Sequence, residues 1–383
     1  MKDEFVCPRC GNKDPLFIGT RNGEKYCRLC ISYNGKQYDN NYIVSDNIRL
    51  NIDYQLSNNQ QSCSDKVKEA LIQKKNVLIH AVTGAGKTEL VFASMEMYLK
   101  KRKRVGFASP RKDVIIDLFP RINSSFINCK TVAVYGEHTD EIDGDIVVLT
   151  THQLYRYENA FDLLIIDEID AFPYKNNFLL NTFAKKSVRG NYILLSATPS
   201  IEDVKAIKAN NGVIIKLFER YHHGKLIVPT VKTSGKIRMF INILRLLKSY
   251  EEKKKPVFIF VPTIKQGKIL FSLISIFYKN GAFVSSKEER RKIEIERFKN
   301  HELSFLVTTS ILERGVTVRN LQVIIYDCSN PLYKKETLIQ IAGRVGRKKD
   351  CTDGDVYFLC EEENEDIKEA IKEIRTYNDK KDL

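Results

Sequence analysis

The chain has 383 residues, 43% of them hydrophobic and 29% charged, an ordinary globular composition with room for two or three domains. Its 62 Lys+Arg against 48 Asp+Glu leave a formal charge of +14. Such an excess suits a polyanionic partner: nucleic acid first, with an acidic membrane surface as the competing reading. No apolar run approaches the ~18 residues that cross a bilayer, and Met1-Lys2-Asp3-Glu4-Phe5 is not a secretory signal, so a cytoplasmic protein is expected.

Cys7-Pro8-Arg9-Cys10 and Cys27-Arg28-Leu29-Cys30 make two C-x2-C pairs with sixteen residues between them. That spacing fits a structural Zn²⁺ site, in which four thiolates on two tight turns close a tetrahedron and leave no open position for chemistry. Two disulfides are the alternative, disfavoured without a secretory signal. A ribbon over residues 1–45 is too small to fold on its own core, so metal would supply much of its folding energy. Arg9, Lys13, Arg21, Lys25 and Arg28 make it basic, with Phe17, Tyr26 and Tyr33 available for stacking; nucleic-acid contact and protein docking both stay open. Residues 39–53, rich in Asn and Asp, read as a linker before a short helix over 66–73. Gln60 or Gln61 is placed to read an adenine edge, while Ser57 or Ser64 is placed to cap the helix.

Val77-Leu78-Ile79 is an apolar run suited to a strand buried on both faces. The loop Ala81-Val82-Thr83-Gly84-Ala85-Gly86-Lys87-Thr88 follows. A helical pattern then places Leu90, Val91, Ala93, Ser94, Met97 and Tyr98 on one side. Strand, glycine loop and helix are the context of a phosphate-binding loop, although Ala81 stands where the general pattern has glycine. Backbone N–H groups from Thr83 to Thr88 would converge on phosphate oxygens, Lys87 would reach the terminal phosphates, and the Thr88 hydroxyl would sit on Mg²⁺. Further strands are expected at 104–108, 131–135, 146–151, 161–166 and 192–195, with helices at 113–119 and 202–209. This alternation argues for a doubly wound parallel sheet. Asp167-Glu168-Ile169-Asp170 ends one strand, where ligands sit in such sheets. Asp167 suits Mg²⁺ and Glu168 the attacking water. Ser196-Ala197-Thr198-Pro199 ends another, and its hydroxyls read either as a helix cap or as a relay of nucleotide state.

The pattern breaks around residues 216–236, where an inter-domain linker is expected. A second α/β series follows, with strands at 257–261, 282–285, 304–309 and 323–327 and helices at 265–278 and 288–298. It has no phosphate loop. It carries Thr308-Thr309-Ser310-Ile311-Leu312-Glu313-Arg314-Gly315-Val316 and Gln340-Ile341-Ala342-Gly343-Arg344-Val345-Gly346-Arg347. Arg344 and Arg347, read as neighbours three apart on a helix, could both face one ligand and act as arginine fingers on the terminal phosphate. The domains expected are therefore 1–45, 46–220 and 221–383.

Together these motifs resemble superfamily 2 helicases and translocases over nearly the whole chain. A-V-T-G-A-G-K-T is similar to motif I, D-E-I-D to motif II, S-A-T to motif III and Q-I-A-G-R-V-G-R to motif VI. With the four-cysteine finger, D-E-I-D-A-F-P, S-A-T-P-S and T-T-S-I-L-E-R-G-V-T-V, the set more narrowly resembles the ComFA family, ATPases of DNA uptake in naturally competent bacteria. The resemblance implies a zinc ribbon joined to two RecA-like parallel-sheet domains in an α/β fold, with ATP between the lobes. It makes Lys87, Asp167, Glu168, Gln340, Arg344 and Arg347 catalytic. It gives nucleotide contacts to Gln60, Gly84, Ala85, Gly86 and Gly315 as well. Pro110, Arg111, Thr150, Thr151, Thr263, Thr308 and Thr309 would grip the phosphates of single-stranded DNA. It also implies other DNA-uptake proteins as partners, a ComFC-like one included, and peripheral association with the inner face of the membrane. D-E-I-D is neither the D-E-A-D nor the D-E-x-H of other branches, which weakens transfer of RNA-helicase specifics. A duplex-unwinding helicase of the replication-restart type and a non-enzymatic ATP-dependent DNA clamp are the rival functions.

Overall fold

A computed structural model of the chain describes residues 5–285, 288, 290–309 and 318–379. They divide into two compact units. Residues 1–81 and 87–217 form the first; residues 218–383 form the second, and the loop 82–86 groups with it.

The first unit opens with a hairpin of β1 (Ile18–Arg21) and β2 (Glu24–Cys27), then β3 (Arg49–Leu50), α1 (Asn58–Ile72), β4 (Val77–Ala81), α2 (Lys87–Leu99), β5 (Val105–Ser109) and α3 (Lys112–Ser125). β6 (Phe126–Ile127), β7 (Thr131–Val134), β8 (Ile146–Thr150), β9 (Phe161–Ile166), α4 (Phe178–Ser187), β10 (Val188–Ser196), α5 (Ile201–Ala209) and β11 (Val213–Leu217) complete it. Seven strands pair in parallel in the order β11-β4-β10-β9-β5-β8-β7. The central strands carry apolar runs at their middles because both faces are covered: Val77, Leu78, Ile79, Leu163, Leu164 and Ile165 are wholly buried.

The second unit contains β12 (Thr230–Thr233), α6 (Lys236–Glu252), β13 (Val257–Phe260), α7 (Ile264–Phe277), β14 (Gly281–Val284) and α8 (Arg291–Lys299). β15 (Phe305–Thr308), β16 (Gln322–Tyr326), α9 (Lys335–Ala342), β17 (Val356–Cys360) and α10 (Glu365–Asp379) follow. Among the described residues its six strands are again all parallel, in the order β12-β17-β16-β13-β15-β14. The α/β class and the two RecA-like parallel sheets expected from the sequence are present.

Several local expectations need correction. Residues 39–53 are not a loose linker but a strap sewn to the first unit. Asp145, fully buried, accepts hydrogen bonds from the Tyr42 hydroxyl (3.0 Å) and the N–H groups of Ser45 (2.9 Å) and Lys130 (2.7 Å). Val44 and Ile48 are buried, and β3 pairs antiparallel with β6. Buried Arg104 lies over the rings of Tyr42 (4.9 Å), Tyr38 (5.1 Å) and Tyr157 (5.7 Å) while pairing with Asp143 at 2.9 Å. Arg102 pairs with Asp46 and Lys100 with Glu96. Within the basic run 100–104, Arg104 is buried, while Lys100, Lys101, Arg102 and Lys103 stay exposed. Asp145→Ala strands two backbone donors and a hydroxyl; the expected loss is about 3 kcal/mol or more, read as a lower urea midpoint for unfolding.

α1 starts eight residues earlier than expected because Ser57 and Gln60 form a capping box. α2 buries Phe92, Met95 and Leu99 in addition to Leu90, Val91, Ser94 and Tyr98, while Ala93 and Met97 are only half-buried; packing wraps the helix more widely than one face. α3 runs past Pro120, with Leu118 and Ile122 buried on either side of it. The stretch read as an inter-domain linker holds β12, a polar edge strand paired with β17. Its Thr-Val-Lys-Thr sequence carries no apolar run to announce it.

Candidate nucleotide site and metal centre

All the first-unit motifs fall at the carboxyl edge of its sheet. β4 leads into the glycine loop, its neighbour β10 ends at Ser196, and the next strand, β9, runs into Asp167. This is where a doubly wound sheet collects its ligands. In the loop, Gly84 and Gly86 have φ of +83° and +77°. Those left-handed conformations explain both glycines, and the Ala85 N–H closes the turn onto the Val82 carbonyl at 3.2 Å. α2 begins at Lys87, so its first-turn N–H groups and its dipole face the loop. The Lys87 ammonium donates to the Ala81 carbonyl at 3.2 Å, and Thr88, the next residue, is nearly buried.

Asp167 is held by its own N–H, which donates to the Ala108 carbonyl (2.8 Å), and its Oδ1 accepts the Glu168 N–H (2.9 Å). Burial first, then the neighbouring Glu168 charge, pushes its pKa up to about 7, against the pull of Lys87. A carboxyl so destabilised as an anion favours a cation beside it, which fits a divalent ion shared with Thr88. Glu168 has φ of +56°, a costly conformation for a side chain longer than Asn. It is kept there by the Ile169 N–H to the Leu195 carbonyl and the Ala171 N–H to the Glu168 carbonyl.

Asp170 is the residue of D-E-I-D whose role the sequence did not reveal. Buried, it accepts from the Ser196 hydroxyl (2.9 Å) and the Thr198 hydroxyl (2.8 Å). Those two hydroxyls therefore do not cap α5. Ser200 does, in a capping box with Asp203. The fourth position of D-E-I-D was the available signal: a third acid, separated from the pair by Ile169, facing two hydroxyls at the end of the neighbouring strand.

Gln60 is buried, and its side-chain oxygen accepts the Ser57 N–H at 2.9 Å as part of the α1 cap. Pro110, Thr150 and Thr151 are buried at the carboxyl ends of β5 and β8, and Arg111 is paired with Asp113 at 2.9 Å. In the second unit Thr263 caps α7 by accepting the Gln266 N–H. Thr308 is wholly buried at the end of β15, and Thr309 is half-buried. Gly315, with residues 310–317 of its motif, lies outside the described residues.

The arginine motif differs in form from the sequence expectation. α9 ends at Ala342 with Gly343 as its cap, so Arg344 and Arg347 stand in the turn beyond it rather than on successive helical positions. Gly346 has φ of +67°, and a Cβ there would come within 2.2 Å of the Thr352 carbonyl oxygen, so the turn demands glycine. Arg344 is buried, and the Arg347 Nε donates back to the Gly343 carbonyl at 2.9 Å. Gln340 is buried on α9 itself.

At the N-terminus the Sγ atoms of Cys7, Cys10, Cys27 and Cys30 all lie within 4.8 Å of one another, with Cys7–Cys30 at 3.5 Å and Cys10–Cys27 at 3.6 Å. Four thiolates at ~2.3 Å from one zinc would be separated by roughly 3.8 Å, so the cluster fits a tetrahedral ion. Burial raises the Cys10 thiol to about 11 and raises Cys30 as well, so a cation would be needed to hold both as thiolates. Gly11 takes φ of +70° in the knuckle. The ribbon is docked: the Lys186 ammonium donates to the Pro8 carbonyl at 2.5 Å, and Arg9 lies over the Tyr155 ring. Tyr33 meets Tyr155 and Phe183 edge-on, so its ring is engaged in packing rather than presented for stacking on a base.

Residues 53–201 match the family described as type III restriction enzyme, res subunit, and residues 235–349 match the helicase conserved C-terminal domain. Among solved structures, S. cerevisiae Dbp5 bound to RNA and ADP BeF3 is similar with a TM-score of 0.64, over 84% of this chain and 91% of that one. At 14% identity that is a likeness of fold. Fold, phosphate loop and acid pair define an ATP-hydrolysing enzyme of superfamily 2. Competence protein ComFA of Streptococcus pneumoniae is 35% identical over 98% of this chain and 91% of its own length; that of Bacillus subtilis is 32% identical over 99% and 86%. The chain belongs to the ComFA family.

Proposed function

We propose that the chain spends ATP to move along single-stranded DNA and that this movement drives DNA uptake in natural competence. The observation that carries the reading is the placing of phosphate loop, S-A-T and D-E-I-D on three adjacent strands of one sheet in a chain of the ComFA family. Its +14 charge suits a strand of phosphates.

In this reading the loop from Thr83 to Thr88 and Lys87 bind the β- and γ-phosphates, with Gln60 on the adenine. Mg²⁺, when bound by Thr88 and Asp167, neutralises charge on the terminal phosphates. Glu168 takes a proton from the attacking water, whose oxygen bonds to the γ-phosphorus as the bond to the β-phosphate oxygen breaks, releasing ADP and phosphate. Arg344 and Arg347, with Gln340 beside them, supply positive charge to the transferred group. Asp170 ties the acid motif to Ser196 and Thr198, so a change at the acids is passed to β10. Residues 1–45, 46–220 and 221–383 are the working domains. DNA contacts fall to Pro110, Arg111, Thr150, Thr151, Thr263, Thr308 and Thr309. DNA-uptake proteins, a ComFC-like one among them, are the protein partners. Among the described residues no helix is long and apolar enough to cross a membrane, so membrane attachment in this reading is peripheral.

The four-cysteine cluster holds Zn²⁺. One zinc per chain is expected by elemental analysis. Cys27→Ser should lose it and lower the melting temperature of the first unit by roughly 10 °C.

The test of movement is displacement of streptavidin from one end of a biotinylated single-stranded oligonucleotide. ATP should speed displacement from one end, and a non-hydrolysable analogue should not. Rapid ATP turnover with no displacement from either end would leave the clamp reading instead.

A further inference from the structure

Arg220 is the largest fully buried side chain among the described residues, and it lies in the stretch that the sequence presents as a linker. Its Nη1 donates to the carbonyls of Val345 (2.8 Å) and Gly346 (2.6 Å), and its Nη2 to that of Gly343 (3.1 Å). These carbonyls line the turn that follows α9: Gly343 is the helix cap and Val345 and Gly346 lie beyond it, near the partly negative end of the helix. Among the described residues no carboxylate pairs with Arg220, and its Nε is buried without a protein partner. Arg347 is close enough to repel it, so its pKa falls to about 9, through burial first and that charge second. A buried guanidinium facing neutral carbonyls beside a second cation is a costly way to close a turn. Mere closure could be had from a water or a neutral amide.

The same short segment reaches the phosphate loop, which groups with this unit. The Tyr221 N–H donates to the Gly84 carbonyl at 3.1 Å, and a Cβ at Gly84 would lie 3.6–3.7 Å from the Arg220 side chain. The Tyr221 hydroxyl donates to the Arg347 carbonyl at 3.2 Å. One dipeptide thus holds the backbone of the loop on one side and the backbone of the arginine turn on the other. We infer that Arg220 is a positioning residue: it fixes the turn 343–347 against the phosphate loop so that Arg344 meets the terminal phosphate in register. This rests on the reading of Arg344 given above.

The experiment compares Arg220→Gln, Arg220→Lys, Arg344→Gln and the Arg220→Gln/Arg344→Gln double variant in the full chain, by steady-state ATP turnover with single-stranded DNA. Arg220→Gln should lower kcat by about 10²-fold while KM for ATP stays within about threefold. The double variant should fall no further than Arg344→Gln alone, because the two changes remove one function. Arg220→Lys keeps the charge but not the planar fork and should give an intermediate kcat. Wild-type kcat in Arg220→Gln, a loss confined to KM, or a double-variant loss equal to the product of the single losses would overturn the inference. Should Arg220→Gln melt below the assay temperature, Arg220→Lys carries the same reading: intermediate kcat at unchanged KM supports it, and wild-type kcat overturns it. Full turnover in Arg344→Gln would instead defeat the underlying reading of Arg344.

Discussion

Glu168→Gln should lower ATP turnover by about 10³-fold while leaving ATP binding near wild type. The carboxamide is nearly isosteric with the carboxylate and can still orient a water, but it cannot take the proton. The backbone that presents the side chain is set independently of it: φ is +56°, the Glu168 N–H is held by Asp167 Oδ1, and the Ile169 N–H is held by the Leu195 carbonyl. The substitution therefore removes chemistry without removing structure. Lys87→Ala, by contrast, should abolish turnover by weakening the bound phosphates themselves, so its loss appears in binding as well. Equilibrium binding of a fluorescent ATP analogue beside single-turnover hydrolysis separates the two. Comparable binding losses in both variants would refute the assignment of Glu168 as base.

Arg344→Gln should cost about 10³-fold in kcat, the scale on which a guanidinium acts on a transferring phosphoryl group. Arg344→Lys should recover little of it. Arg344 is only 2% exposed in a turn that Gly346 and three carbonyl–Arg220 hydrogen bonds hold in one shape. An ammonium on a flexible stem has neither the planar fork nor the reach that this fixed backbone was matched to. Turnover by single-stranded-DNA-stimulated enzyme is the readout, with KM for ATP changing far less than kcat.

The parts of the site that could be read in the sequence are those where chemistry dictates residue type at a fixed place. Gly84 and Gly86 are glycine because φ is positive at both, and Lys87-Thr88 must follow them at the head of a helix. The acids of D-E-I-D announce themselves by following directly on the apolar run Leu163-Leu164-Ile165-Ile166. The parallel sheets were legible for the same reason, since strands buried on both faces leave unbroken apolar runs. The strap over residues 39–53 was not, because what anchors it is polar and distant in sequence: Asp145, about a hundred residues away, and Arg104, about sixty. β12 was hidden by being a polar edge strand, made a strand only by its ladder to β17. The arginine turn looks helical from the three-residue spacing of Arg344 and Arg347; Gly343, which caps α9, and Gly346, at positive φ, are what make it a turn. Arg220 offered no local signal: only the folded chain shows which carbonyls a solitary arginine will meet.

The central claim is that hydrolysis of ATP by this chain is coupled to single-stranded DNA. The most direct measurement is steady-state ATP turnover with single-stranded DNA, duplex DNA and RNA run in parallel on the full chain. Single-stranded DNA should raise kcat well above the level reached with the other two, and Glu168→Gln should erase the difference. Equal stimulation by RNA, or turnover indifferent to all three, would contradict the account.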